Sequence, residues 1–189
     1  MERKLKILLG FVSFGCNNVG EECILENVVK IVREYGPHSE ITVSTNDENA
    51  AKRKLNVNTV PLAYFEPEAD RDSMYAALKQ SDVFIWSGAT GLSDYPHITT
   101  DMLKKAKNAG TKTLVWGVGM NTCLNPFMYR LQPAKLKNIL QIADALTFGV
   151  FDFVKKQNCR IDKTMRRQIA KSLLNSDLVV LRDHPTKSE

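Results

Sequence analysis

Short apolar runs alternate along the chain with longer segments in which apolar residues recur every three or four positions. The first run, residues 5–12, is almost wholly apolar, which is typical of a parallel strand covered on both faces. The next segment, residues 21–35, has the period of a helix with one buried face. The apolar positions of that face are Ile24, Leu25, Val28, Ile31 and Val32.

The same alternation continues through most of the chain. Further strands are predicted at residues 40–45, 57–62, 83–86, 113–116 and 177–181. Further helices are predicted at residues 48–55, 74–80, 100–109, 133–145 and 164–174. This order predicts an α/β fold with a doubly wound, mostly parallel, Rossmann-like sheet of five to six strands. We expect one α/β domain over residues 1–189, containing a basic, mostly helical segment at 124–175.

Three loops of small residues follow predicted strands, at residues 15–20, 87–91 and 117–121. The carboxyl ends of parallel strands meet at one edge of such a sheet, where ligands bind. Glycines there let backbone N–H groups approach a ligand, although glycines also simply make turns. Three loops on one edge favour a binding site.

The first loop does not have the spacing of a dinucleotide-binding or phosphate-binding motif. Glu21 and Glu22 follow it at the start of a helix, where they would repel a phosphate. They favour a neutral, hydroxyl-rich ligand, or they serve only the helix dipole.

Three other features have both a functional and a structural interpretation. Cys16 lies near a helix start, where a thiol can become a nucleophile, but no histidine is fixed beside it. His97 could act as an acid or base, or be an ordinary loop residue. Arg182 and Asp183 close the last strand and either contact a substrate or form a structural pair.

Charge is unevenly distributed over the 189 residues, whose net charge is +5. Residues 126–171 hold ten Lys/Arg and three Asp, a charge of +7, so the remainder carries 5 − 7 = −2. Such a segment attracts phosphates or acidic polymers, or is a solvated helix face. We do not expect nucleic acid as the partner.

The four cysteines and three histidines show no metal-binding spacing, so no metal site is predicted. No apolar run is long enough to span a membrane, and the opening residues do not resemble a signal peptide. We therefore expect a cytoplasmic protein.

Residues 15–25, Gly-Cys-Asn-Asn-Val-Gly-Glu-Glu-Cys-Ile-Leu, resemble the Asn-x-Gly-Asp-Glu-x-Ile-Leu opening of polysaccharide pyruvyl transferases. Four later segments resemble further motifs of that family, in the family's order: 41–47, 80–89, 110–119 and 177–183. Glu21 stands where the family has aspartate, and Ser87-Gly88-Ala89 stands where it has three glycines. The similarity covers nearly the whole chain but only the N-terminal half of the family's two-domain architecture.

The resemblance implies the acceptor-side half of a glycosyltransferase-B-like enzyme in exopolysaccharide or cell wall polysaccharide biosynthesis. Such an enzyme moves pyruvate, as a ketal, from phosphoenolpyruvate onto a sugar or polysaccharide precursor, with no cofactor beyond that donor. A second domain or a second copy would supply the facing wall, and we expect the chain to be inactive by itself. Whether it is an enzyme therefore stays open at this point.

The resemblance and the loops together imply a set of site residues. Glu21 is the candidate catalytic group, assisting deprotonation of an acceptor hydroxyl. The candidate substrate-binding residues are Gly15, Asn17, Asn18, Gly20, Ser87, Gly88, Ala89, Gly117, Gly119, Met120, Arg182 and Asp183.

Two alternatives stay open. The first is a non-catalytic binding module with the same half-fold, in which the basic segment holds an anionic partner. The second is an unrelated α/β enzyme that acts on a nucleotide or a phosphosugar at the same edge of the sheet.

Overall fold

Six parallel strands form a sheet in the computed structural model, which describes residues 3–10, 12, 14–63, 68–88, 90–148 and 150–182. The strands are β1 (Lys6–Gly10), β2 (Glu40–Thr45), β3 (Asn58–Pro61), β4 (Val83–Ser87), β5 (Lys112–Val118) and β6 (Leu178–Leu181). Their order across the sheet is β3-β2-β1-β4-β5-β6. This is the order of a doubly wound Rossmann sheet, so the predicted fold class is confirmed.

Eight helices connect the strands in the part of the chain that is described. They are α1 (Val19–Tyr35), α2 (Glu48–Leu55), α3 (Glu68–Gln80), α4 (Gly91–Asp94), α5 (Pro96–Ala109), α6 (Pro126–Tyr129), α7 (Lys135–Leu146) and α8 (Phe153–Leu174). Helix α5 packs against both α3 and α8, so these three lie side by side on one face. Right-handed crossovers in this strand order place α1 and α2 on the opposite face.

The core lies on both faces of the central strands. Leu8 and Leu9 of β1, Val43 of β2, Phe84 of β4 and Val115 of β5 are fully buried. β1 is apolar and buried from Ile7 to Gly10 because helices cover it on both faces. The edge strand β6 is only partly covered, and its Leu178 and Val180 side chains are exposed.

Two helices begin earlier than their apolar period predicts. α3 starts at Glu68 rather than at residue 74, and α8 starts at Phe153 rather than at residue 164. The carboxylate of Asp144, at the end of α7, accepts a hydrogen bond from Phe153 N at 2.6 Å and so caps α8 from a different helix. A cap supplied by a distant residue leaves no local pattern in the sequence.

The carboxyl end of β5 leads into the basic segment. After β5 the chain forms the short helix α6, then α7, then the long α8, which returns to β6. α7 packs against α8, and α8 packs against α5. None of the helices in the described ranges is both long enough and apolar enough to cross a membrane.

Candidate functional site

The direction of the strand order reverses between β1 and β4, which are neighbours in the sheet. In open α/β sheets the crevice at this reversal, outside the carboxyl ends of the strands, is where ligands bind. The loops after β1 and β4 flank it, and the loop after β5 lies next to that of β4. The three loops singled out from the sequence therefore share one edge, as predicted.

The loop after β1 is held rigidly by the start of α1. The side-chain oxygen of Asn18 accepts hydrogen bonds from Gly20 N at 3.1 Å and Glu21 N at 3.5 Å, which caps the helix. Glu22 Oε1 accepts a hydrogen bond from Gly15 N at 2.6 Å. Glu22 thus braces the loop, while Asn17, with a φ of 62°, is exposed to solvent.

Glu21 lies in the first turn of α1 and is half-buried. Its Oε2 atom is inaccessible to solvent. Partial burial raises the pKa of the neighbouring Cys16 thiol, and the charges of Glu21 and Glu22 raise it further. A thiol that holds its proton is a poor nucleophile, so this geometry disfavours the nucleophilic role considered for Cys16.

The loop after β1 also packs tightly against the loop after β2. Asn46 N donates a hydrogen bond to the carbonyl of Phe14 at 2.9 Å, and the Phe14 side chain is fully buried. Gly15 has a φ of 77°, and a β-carbon there would overlap the backbone nitrogen of Asp47. Position 15 therefore requires glycine for two independent reasons.

The loop after β4 contributes shape rather than exposed groups. Ser87 and Gly88 are both buried, and Gly88 N donates to the carbonyl of Trp116 at 2.9 Å. Gly88 has a φ of 74°, and a β-carbon there would stand 2.7 Å from Ile24 Cδ1 of α1. Ala89 lies outside the described residues.

The loop after β5 carries a cation above a glycine. Gly117, with a φ of 66°, sits at an irregularity in the pairing of β5 with β6. A β-carbon at Gly119 would stand 2.5 Å from Cζ and Nη2 of Arg182, whose backbone N donates to Val118 O at 3.2 Å. Met120 follows, half-buried. Asp183 falls beyond the last residue that the structure describes.

Sequence reasoning missed Ser93, which is fully buried. Its hydroxyl donates to Thr90 O at 2.9 Å and accepts from Asn121 N at 3.1 Å. Its carbonyl accepts from Asn125 N at 2.9 Å. Ser93 therefore ties the loop after β4 to the loop after β5, and a serine within a short helix gives no signal of this in the sequence.

His97 and Tyr129 form a second unpredicted contact nearby. The phenol oxygen of Tyr129 lies 2.6 Å from His97 Nδ1 and accepts the backbone N–H of His97 at 3.3 Å. Burial lowers the pKa of His97 and raises that of Tyr129. The contact joins the start of α5 to α6, so the structure gives His97 a positioning contact.

A cavity of about 540 Å³ adjoins the loop after β5, between that loop, α6 and α8. Its cations are Arg130, Lys155 and Arg166, and its acids are Asp152 and Asp162. Arg166 Nε donates to Asp162 at 2.7 Å and Arg166 Nη2 donates to Thr122 O at 2.8 Å. Arg166 therefore pins the loop beyond Met120 to α8. Across the described ranges, no group of three or more His, Cys, Asp or Glu side chains is placed to hold a metal ion.

Comparisons with known proteins bear on this edge. A family model described as "Polysaccharide pyruvyl transferase" matches residues 18–188, nearly the whole chain. A search of the curated proteins found no significant match.

Among solved structures, the chain is similar to the 2,6-sialyltransferase of Vibrionaceae Photobacterium sp. JT-ISH-224, in a ternary complex with donor product CMP and acceptor substrate lactose. The TM-score is 0.44 and the sequence identity 8%. The match covers 95% of this chain and 36% of that chain, so the chain spans about a third of its length.

Proposed function

This chain belongs to the polysaccharide pyruvyl transferase family, and from that premise we propose that it forms the acceptor-side half of an enzyme that transfers pyruvate to a sugar. The donor is phosphoenolpyruvate and the product is a cyclic ketal. The acceptor is a sugar or polysaccharide precursor with two neighbouring hydroxyl groups. We place the reaction in exopolysaccharide or cell wall polysaccharide biosynthesis, in the cytoplasm.

The proposed reaction balances without a cofactor. The bond between C2 of phosphoenolpyruvate and its phosphate oxygen breaks, and two bonds form from C2 to the two sugar oxygens. One hydroxyl proton goes to C3, which becomes a methyl group, and the other leaves with hydrogen phosphate. The protein's task is to hold the diol and accept a proton from it.

The observation that carries this proposal is the convergence of three rigid loops at the edge where the strand order reverses. Asn17, Asn18 and Gly20 are exposed there and present amide and backbone groups, which suit sugar hydroxyls. Two carboxylates in the same turn disfavour a phosphate at this position. These features fit the acceptor better than the donor.

We assign Glu21 the role of base toward an acceptor hydroxyl. Glu22 on the same turn is committed to bracing Gly15, so the two neighbouring carboxylates differ in what they contact. Ser87, Gly88, Gly117 and Gly119 shape the wall of the site, and Arg182 places a positive charge at its far side. The facing wall, and the groups that hold phosphoenolpyruvate, come from a second domain or a second copy.

The test measures phosphate released from phosphoenolpyruvate with a panel of sugar acceptors, and identifies the ketal by mass spectrometry. Glu21→Gln should lower the rate by about 10²-fold or more, because general base catalysis contributes about that much. Glu34→Gln, an exposed position on the same helix, is the matched control and should keep the full rate. Full activity of Glu21→Gln would exclude the catalytic role, and no phosphate release with any acceptor would overturn the proposed function.

A further inference from the structure

α7 exposes an apolar ridge that nothing in the proposed reaction uses. Its members are between 51% and 96% exposed: Leu136, Ile139, Ile142, Leu146 and, just beyond the helix, Phe148. The four α7 residues share one side of the helix, away from Leu140, Asp144 and Thr147, which are half-buried. Isolated exposed apolar residues are ordinary, but a contiguous ridge of large ones marks an interaction surface.

α8 carries a basic row beside this ridge: Lys156, Arg160, Lys163 and Arg167. Their spacing of four, three and four residues places them on one stripe of the helix. The opposite stripe of α8, with Ile161, Met165 and Ile169, packs against the core. The basic row therefore faces away from the sheet.

The ridge and the row border one groove of about 690 Å³ between α7 and α8. Leu140 and Phe153 contribute its apolar lining, and the part of that lining which the structure describes contains no Asp or Glu. The Asp144 carboxylate, which accepts from Phe153 N, fixes the two helices to each other. The surface is thus a preformed combination of aliphatic side chains and uncompensated positive charge.

We propose that this α7–α8 surface docks the protein on an anionic lipid membrane. Large aliphatic and aromatic side chains flanked by Lys and Arg are the composition of helices that lie in the membrane interface. The apolar ridge enters the boundary between headgroups and acyl chains, and the basic row binds anionic headgroups. The binding is peripheral and reversible, and it does not depend on the transfer reaction proposed above.

The charges favour this occupant over two others. A second copy docked through the same face would bring two basic rows together, and like charges oppose that contact. A nucleic acid would use the cations and stack its bases on aromatic rings, but it has no use for a ridge of Leu and Ile. An anionic membrane satisfies the cations and the apolar ridge together.

The experiment is co-sedimentation of the intact protein with vesicles of phosphatidylcholine alone or mixed with phosphatidylglycerol. We expect binding to the mixed vesicles, weakened by salt, and little binding to phosphatidylcholine. Lys163→Glu with Arg167→Glu should weaken binding at least about tenfold. Ile139→Glu with Ile142→Glu should also abolish binding, although it leaves the basic row intact.

Matched controls lie on other helices. Lys30→Glu with Lys79→Glu changes the net charge equally, and Tyr35→Glu alters an exposed apolar residue elsewhere, so all three sites should tolerate change without loss of vesicle binding. Every altered residue is exposed, and circular dichroism checks that each variant folds. Three results overturn the proposal: equal binding to both vesicle types, loss of binding in the controls, or a ridge variant that changes only the oligomeric state in light scattering. Binding of a single-stranded RNA that depends on the basic row but not on the ridge, without vesicle binding, also overturns it.

Discussion

The guanidinium group of Arg182 lies against Gly119, so closely that a β-carbon at position 119 would stand 2.5 Å from Arg182 Cζ. The pair joins the ends of two neighbouring strands, β5 and β6, at the edge of the sheet that holds the proposed site. Arg182 is exposed and Gly119 is buried beneath it. The glycine thus determines where the positive charge stands.

Replacing Gly119 by alanine should move Arg182 rather than unfold the protein. The group in the way is the far end of a flexible side chain, so we expect a loss of at most about 1 kcal/mol in stability. Acceptor binding or turnover should fall more than stability does. In an Arg182→Ala background the same Gly119→Ala change should cost almost nothing, and urea unfolding of the four proteins measures that coupling. Equal costs in both backgrounds would contradict the contact.

Gly15→Ala should be far more damaging than Gly117→Ala. Both glycines have positive φ, but only at position 15 would the new β-carbon overlap backbone, the nitrogen of Asp47. We expect roughly 3 kcal/mol or more for Gly15→Ala, and about 1–2 kcal/mol for Gly117→Ala, where the space is open. Urea denaturation midpoints compare the two, and similar losses would show that the loop after β1 adjusts to a side chain.

Asp177 should make the protein sensitive to acid. Its carboxylate accepts hydrogen bonds from Lys112 Nζ at 2.8 Å and Thr113 N at 2.9 Å, which lower its pKa from 3.8 to about 2. The resulting stability is present above pH 3.8 and is lost as the pH falls toward 2.

Because Asp177 and Lys112 are largely exposed, we expect Asp177→Asn to cost at most about 1 kcal/mol at neutral pH. The variant should also have a flatter acid limb when unfolding is followed against pH. An unchanged acid limb would mean that the β5–β6 contact does not depend on this charge.

His97 should add a second, weaker pH dependence near neutrality. Burial lowers its folded-state pKa below 6.5, so the unfolded chain binds a proton first and stability falls as the pH drops through 6.5. The effect is small because His97 is partly exposed. His97→Gln should remove this slope. Tyr129→Phe should cost about 1 kcal/mol on each side of it, through the lost hydrogen bond to Nδ1. A thermal unfolding series against pH tests both variants.

Most of the sheet was predictable because its signals are local. The apolar runs that form β1 and β4 need no knowledge of their partners, and each is followed by glycine or by small residues. The reversal between those two strands, and hence the crevice, follows from the general rules for parallel sheets. The edge that carries the proposed site could therefore be placed from the sequence.

The contacts that give that edge its shape were not predictable. Ser93 links two loops through three hydrogen bonds, Arg182 covers Gly119, and Asp144 caps a helix that begins nine residues later. Each contact joins parts of the chain that no periodic pattern relates. The extent of α8 was underestimated for the same reason, since its first three turns depend on packing and on that cap.

β1 is the first strand to be synthesised, yet it lies in the middle of the sheet. Its neighbour on one side is β2, and on the other it is β4, so Lys6 N donates to the side chain of Asp82, 76 residues away. Leu8 and Leu9 thus wait for half of their surroundings until Val83–Ser87 has left the ribosome. The long loop that must close before β1 is paired makes folding slow compared with that of a helical protein of similar size. Until then the most apolar strand of the chain is also its most exposed aggregation hazard.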